Sequence, residues 1–353
     1  MQYNIFMSNV YFIDFSKVQM NLDLMRKPLE KIGANKIASD SALTAVKMHF
    51  GEMGNTAYIK PAYINYICGF IKESGGKPFI TDTNTLYKGM RSNTVDHLNN
   101  AFFNGFGCYP IVISDGVRGE NHVEVKSRGS IFEKLYIASD IYYADSIFCV
   151  SHFKGHELTG FGGAIKNMGM GCAARRGKLA MHSNISPSVN KEKCTGCFTC
   201  TEWCNSKAIE RKEKKAFINT QKCVGCGLCI DVCKYRAIRI NWNTESSDMQ
   251  KRMTEYAAGA IKKNKTVYIN FINNVSIVCD CCSYTGPNIV EDIGILFSDD
   301  IVAIDTASYD LVNKKAGRNI FKAVHSKINP EVQLNYGEKI GIGSREYKLI
   351  DVS

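Results

Sequence analysis

The chain has 353 residues, of which 45% are hydrophobic and 22% charged, with a formal net charge of +10. That is the balance of a globular protein with room for a large core. The longest uncharged run, around Leu98–Ser114, is interrupted by Asn, Gly and Pro and is too short to span a bilayer, so no membrane association is expected. Met1–Ser8 has neither the charged start nor the apolar stretch of a secretory leader, which points to the cytoplasm; either Met1 or Met7 could serve as the start.

In chain order, residues 20–34 predict a helix closed by Gly33 and residues 43–50 a strand. Pro61 opens a helix that ends at Gly75-Gly76, and the strand after it ends near Asp82. A helix over 94–107, a strand over 110–114 and a buried-type strand over 146–153 follow. Beyond the middle of the chain come a helix over 248–264, a strand over 265–272, a short strand at 276–278, another over 293–298, and a helix over 300–317 with a Gly stop. Strands alternating with helices predict an α/β protein with a mainly parallel, Rossmann-like sheet.

Cysteine usage departs from this ordinary picture. Eight of the 15 cysteines fall between Cys194 and Cys233, in a repeat: KCTGCFTCTEWCNSKAIE returns 29 residues later as KCVGCGLCIDVCKYRAIR. Three closely spaced thiolates can cap three irons of one cube, and in such repeats the fourth ligand comes from the other half. Cys194, Cys197, Cys200 and Cys233 are therefore expected to hold one [4Fe–4S] cluster, and Cys223, Cys226, Cys229 and Cys204 the other. Gly196 and Gly225 sit where the first ligand loop must turn tightly. Zinc also uses paired Cys-x-x-Cys knuckles, but a third cysteine at the same spacing, twice over, fits cubes better. This stretch resembles a two-cluster bacterial ferredoxin, except that Asn205 and Lys234 replace the proline usual after the fourth cysteine. The stretch RKEKKAFINT, a charged turn followed by a short alternating strand, is expected to form small antiparallel pairs with AIRINW.

Sheet elements lie on both sides of this stretch. The expected organisation is an α/β host in two parts, 1–186 and 244–353, with an inserted α+β ferredoxin-type domain at 187–243. The insert carries eleven Lys/Arg against five Asp/Glu, a balance suited to a solvated surface or to docking an acidic electron-transfer protein. No basic helix with interleaved aromatics suggests nucleic acid.

Two host segments, SHFKGHELTGFGGAIKNMGMGC and DIGILFSDDIVAIDTASYDLV, together with VKMHFGE, resemble the family called domain of unknown function 362. Its members often carry a two-cluster ferredoxin segment, so the resemblance implies an insert-in-host arrangement. It implies no reaction.

Chemistry must be read from the host residues. His152, Lys154, His156 and Lys166 gather around a glycine turn, Gly160, Gly162 and Gly163, that opens a helix after a strand. Such a turn directs backbone N–H groups at an anion, so a cavity for a small anionic ligand or substrate is expected, with Asp82 and Asp305 nearby. Packing glycines and hydrogen-bonded histidines are the plainer alternative. Cys279, Cys281 and Cys282, with Cys172 if the segments meet, could form a further metal or redox site. Cys68, Cys108 and Cys149 are read as buried structural thiols. The function these residues suggest is transfer of low-potential electrons through two clusters to or from the host cavity. The alternatives are a non-enzymatic carrier or metal- or cluster-handling protein whose α/β part docks a partner, and an isomerase-like host with structural clusters.

Overall fold

The computed structural model describes residues 7–183, 186–242, 244–263 and 265–353. The first six residues, on which the choice of start turns, lie outside that range. Eight strands form one sheet: β1 (Ser8–Asp14), β2 (Leu43–Lys47), β3 (Lys77–Asp82), β4 (Ile111–Ile113), β5 (Ser146–His152), β6 (Thr266–Ile272), β7 (Gly294–Ser298) and β8 (Tyr347–Asp351), in the order β8-β1-β7-β6-β5-β2-β3-β4. The run from β6 through β5, β2 and β3 to β4 is parallel. β7 runs antiparallel to both β6 and β1, and β8 pairs parallel to β1. The protein is thus a mixed α/β fold around a large, mostly parallel, Rossmann-like sheet. The antiparallel β7 and the outer strands β1 and β8 went unanticipated.

Side-chain alternation places two apolar clusters on opposite faces. Ile147 and Cys149 of β5 join Met168, Met253 and Ile304 on one face, while Phe148 and Val150 join Leu29 and Ile64 on the other. The helices follow from local chemistry. Pro61 occupies the first turn of α1 (Pro61–Glu73), and the Asn93 side chain caps α2 (Thr94–Phe103). α3 (Ala164–Cys172) follows the central strand, and α4 (Ser246–Ala260) packs across it. The Asp300 carboxylate caps α5 (Ile301–Ala316), which stops at Gly317 with φ of 67°.

Three local expectations need correction. Residues 20–34 do not form one helix: a 3-10 turn at Leu22–Met25 precedes helix Arg26–Lys31, and Gly33, at φ of 74°, redirects the chain into Ala34–Ile37. Residues 276–278 make only an isolated bridge, Ser276 to Asn288. Strand Lys215–Ile218 pairs with Ile209–Lys212, its own hairpin partner, and Ile238–Arg239 pairs instead with Ser188–Val189. Around these small ladders Cys194, Cys200, Ile209, Ile218, Ile230 and Ile238 form a third apolar cluster.

Candidate functional site

β2, β3 and β5 are adjacent and parallel, so their carboxyl ends deliver Lys47, Asp82 and His152 to one edge of the sheet. A cavity of about 200 Å³ opens there. His152, Lys154, His156 and Lys166 all line it, as do Gly162 and Gly163, but not Gly160. Lys47, Arg91 and Lys178 add cationic groups that sequence reasoning missed, because they come from three other segments. Asp82 and Glu157 are the acidic residues of the lining, and Leu86, Tyr87, Leu158, Met170 and Trp242 give it apolar wall.

Most of these cations are already paired. Lys47 Nζ donates to Asp82 Oδ1 at 2.9 Å and to Asn167 Oδ1 at 2.7 Å. Arg91 Nε donates to Glu52 Oε2 at 3.0 Å. Lys154 Nζ stands 3.0 Å from Asp280 Oδ2 and donates to the His152 carbonyl. His152 Nδ1 reaches the same carboxylate at 2.9 Å, and its Nε2 the Asn273 carbonyl at 2.7 Å, so both ring nitrogens face acceptors. Burial disfavours the charge on Asp280, but His152 and Lys154 outweigh it and lower the pKa of that carboxyl. Burial and the nearby cations Arg91 and Lys166 lower the pKa of His49 and of His156 respectively, so both rings are neutral at neutral pH.

The helix start expected to receive an anion already holds one. Asp305 Oδ1 accepts from the Ala164 N–H at 2.7 Å, and Oδ2 from the Ile165 N–H at 2.9 Å. Asn270 Nδ2 completes the cradle. Asp305 therefore faces the amides of α3 and is not a lining residue. A Cβ on Gly163 would come within 2.3 Å of Asp305 Oδ1, and one on Gly160 within 2.5 Å of Pro330, so both glycines permit close packing. Gly160 and Gly162 belong to a hairpin in which Lys154–His156 pairs with Gly160–Gly162, not to a phosphate loop.

Lys166 meets a different anion. Its Nζ lies 3.7 Å from Cys279 Sγ. His156 and Cys281 also stand close enough to Cys279 to act on its thiol, and the Cys282 N–H donates to the Cys279 carbonyl at 2.9 Å. The Cys281 hydrogen bond lowers the Cys279 pKa well below the usual thiol range; burial opposes this, and Lys166 and His156 reinforce it. Cys172 is not part of this group: it is buried on α3 with its sulfur 3.9 Å from Met168 Sδ, and burial pushes its thiol up to about 12. Cys68 and Cys149 are buried as expected, whereas Cys108 is exposed.

The eight clustered cysteines lie near one another. Cys200 is pushed up to about 11, first by burial and then by Cys233, Cys197 and Cys194 nearby. Cys229 is raised by burial and by Cys226, Cys223, Cys200 and Cys204. The halves repeat in detail: the Ala208 N–H donates to Cys204 Sγ at 3.2 Å and the Ala237 N–H to Cys233 Sγ at 3.3 Å. Gly196 and Gly225 both have positive φ, 73° and 68°. Among the described residues no set of three or more His, Cys, Asp or Glu side chains is gathered tightly enough for a single metal ion. Donors to the corners of a cube stand farther apart than donors to one ion.

The loop from Thr83 to Ser92 touches both regions. Lys88 Nζ donates to the Cys233 carbonyl at 2.7 Å, and Tyr87 Oη to the Cys281 carbonyl at 3.3 Å. Leu86 packs into the cysteine-lined apolar cluster and also lines the cavity. Trp242, at the end of the cysteine-rich stretch, sits 4.5 Å from His182 between ring centroids, and both line the cavity.

Fold and site together define an α/β protein with a cavity at the carboxyl ends of its parallel strands and a cysteine-rich stretch whose neighbour Trp242 lines that cavity. The chain belongs to the family described as domain of unknown function (DUF362), whose model matches residues 44–310. No curated protein matches it. Among solved structures it is similar to the lactate racemase apoprotein of Thermoanaerobacterium thermosaccharolyticum, with 15% identity, a TM-score of 0.38, and coverage of 76% of this chain and 51% of that one. It is also similar to a Thermotoga maritima protein at 11% identity and a TM-score of 0.37, covering 86% of this chain and 59% of the other. The chain thus spans between half and two thirds of either structure. Among the described residues, no helix is long and apolar enough to cross a membrane.

Proposed function

We propose that the chain is an iron–sulfur redox protein. In this reading Cys194, Cys197, Cys200 and Cys233 hold one [4Fe–4S] cluster and Cys223, Cys226, Cys229 and Cys204 the other, within a ferredoxin-type unit at 187–243. The observation that carries the reading is the twice-repeated donor set, in which each run of three cysteines has the fourth cysteine of the other run as its neighbour. The residues fit such a group: soft thiols, N–H groups aimed at sulfur, glycine turns and a small apolar surround. Clusters of this kind supply low-potential one-electron carriers.

The chain's own residues connect that unit to the host. The Thr83–Ser92 loop bridges the Cys233 carbonyl and the Cys281 carbonyl, so electrons have a short packed route between the cysteine-rich unit and the cavity. Of the five lysine or arginine side chains in the lining, Lys47, Arg91 and Lys154 are paired with Asp82, Glu52 and Asp280, which leaves Lys166 and Lys178 to favour a small substrate with an anionic end and an apolar body. The proposed activity is oxidation or reduction of such a substrate, with an acidic electron-transfer protein docking on the basic cysteine-rich unit.

Iron and acid-labile sulfide analysis of anaerobically purified protein tests this. About eight irons and eight sulfides per chain are expected. Two zincs without sulfide would falsify it.

A further inference from the structure

The mechanism so far leaves Cys279, Cys281 and Cys282 unused, yet they are the most elaborately held thiols of the host. The backbone around them is clamped from two sides. The Glu52 N–H donates to the Asp280 carbonyl at 2.9 Å, and Asn55 Nδ2 donates to the carbonyls of Cys282 and Tyr284. Gly155 lies so close to Ile277 that a Cβ there would meet its Cα at 2.8 Å. The segment is therefore fixed against the cavity rather than loosely looped.

Within it the sulfurs have different surroundings. Cys279 is buried, with Lys166 Nζ at 3.7 Å, the His156 ring in hydrogen-bonding reach and Lys154 contributing its charge. Cys281 lines the cavity, and the Cys282 N–H donates to the Cys279 carbonyl at 2.9 Å, a turn that holds the three thiols together. A cation beside a buried sulfur favours thiolate, and a thiolate bonded to a neighbouring thiol is the arrangement from which a disulfide closes.

We propose that Cys279 and Cys281 are a redox-active dithiol beside the cavity, closing to a disulfide and reopening on two-electron reduction. On opening, the S–S bond breaks, two electrons and one proton enter, and the products are the Cys279 thiolate, held by Lys166, and the Cys281 thiol. Closure is the reverse: the Cys279 thiolate and Cys281 thiol lose two electrons and one proton to form the bond. The reductant is a low-potential one-electron donor of the iron–sulfur class acting twice, so the inference rests on the function proposed above. Two one-electron carriers match the two electrons that one disulfide needs. The bridge between the carbonyls of Cys233 and Cys281 through Lys88 and Tyr87 is what brings such a donor near.

The test uses full-length protein purified anaerobically, with half the sample treated with diamide. Both halves are denatured, alkylated with iodoacetamide and digested, and the peptide holding Cys279, Cys281 and Cys282 is weighed. The untreated peptide should carry three labels and the oxidised peptide one. Cys282→Ser should still close a bridge and Cys281→Ser should not, each with a melting temperature near wild type. Lys166→Met should move the pH profile of closure upward by about one unit or more and so slow closure on the acidic limb of that profile, since the sulfur loses its neighbouring cation. Lys166→Arg should restore the rate. A fully labelled peptide after oxidation, or a bridge that survives Cys281→Ser and vanishes in Cys282→Ser, overturns the assignment. Iron and sulfide are measured on the same sample: a full complement without a bridge sinks the dithiol alone, and a bridge without iron sinks the electron source alone.

Discussion

Asp280 shows how much of the site is a matter of one carboxylate. It is buried and takes His152 and Lys154 together, so those two side chains, singled out in the sequence as ligand donors, are first of all partners of the protein's own anion. The sequence places Asp280 between cysteines that draw attention away from it; nothing local says that it reaches strand β5. Removing it leaves a buried lysine and histidine without compensation, and Asp280→Ala should cost about 3–5 kcal/mol in urea denaturation. The acid limb gives a second measurement. A carboxyl whose folded pKa is lowered contributes stability above its unfolded value, near 4, and loses it as pH falls toward the folded value. Wild type should therefore lose this share of stability below about pH 4, and Asp280→Ala should lack that loss. For the same reason Lys154→Ala should lower the melting temperature and is a poor probe of ligand binding, whereas Lys166, whose Nζ lies 3.7 Å from Cys279 Sγ, is the more informative one.

The element that most changes the reading of the sequence is α3. A strand, a glycine-rich turn and a helix start were all legible, and all exist. What the order of residues could not convey is that α5, some 140 residues later, delivers Asp305 to the amides at that helix start. The signal was present in the segment DIVAIDTASYDLV, but only packing reveals which turn the aspartate faces. Burial raises the Asp305 pKa to about 6. A raised acid binds its proton more tightly folded than unfolded, so this group adds stability as pH falls from about 6 toward 4. Denaturation midpoints across that window should rise on acidification in wild type and stay flatter in Asp305→Asn. The variant should also lose about 1–3 kcal/mol, because an amide nitrogen would face backbone donors. The opposite side of α3 is set by glycine: a Cβ on Gly169 would come within 2.2 Å of the Met253 carbonyl of α4. Gly169→Ala should separate the two helices and cost about 1–3 kcal/mol, read as a shifted urea midpoint with an unchanged slope.

At the scale of the whole molecule, the alternation of strands and helices and the doubled cysteine run were readable because each is a local pattern with a fixed period. The antiparallel β7, the outer strands β1 and β8, and the convergence of Lys47, Arg91 and Lys178 on the cavity were not, because they depend on which distant segments become neighbours. The apolar clusters carry a further consequence. Among the described residues, the two host clusters draw on none between Met181 and Met249, while the third is built around Cys194, Cys200, Ile209, Ile218, Ile230 and Ile238, with Leu86 and Leu179 contributed from the host. A core that small cannot supply much stability by itself, and the proposed clusters would supply the rest. Stripping iron with a chelator under oxidising conditions should therefore open the cysteine-rich unit to protease within residues 187–243 while the sheet persists. Limited proteolysis should yield cuts confined to that stretch, and far-ultraviolet circular dichroism should retain most of the host signal. Cys204→Ser should show the same coupling in miniature: the electron paramagnetic resonance signal of the cluster assigned to Cys223, Cys226 and Cys229 should be damaged while that of the Cys194 set remains. Loss of the Cys194 set alone would show that the fourth ligands do not cross, and cuts spread over the α/β sheet on iron removal would show that host and cysteine-rich unit fold as one.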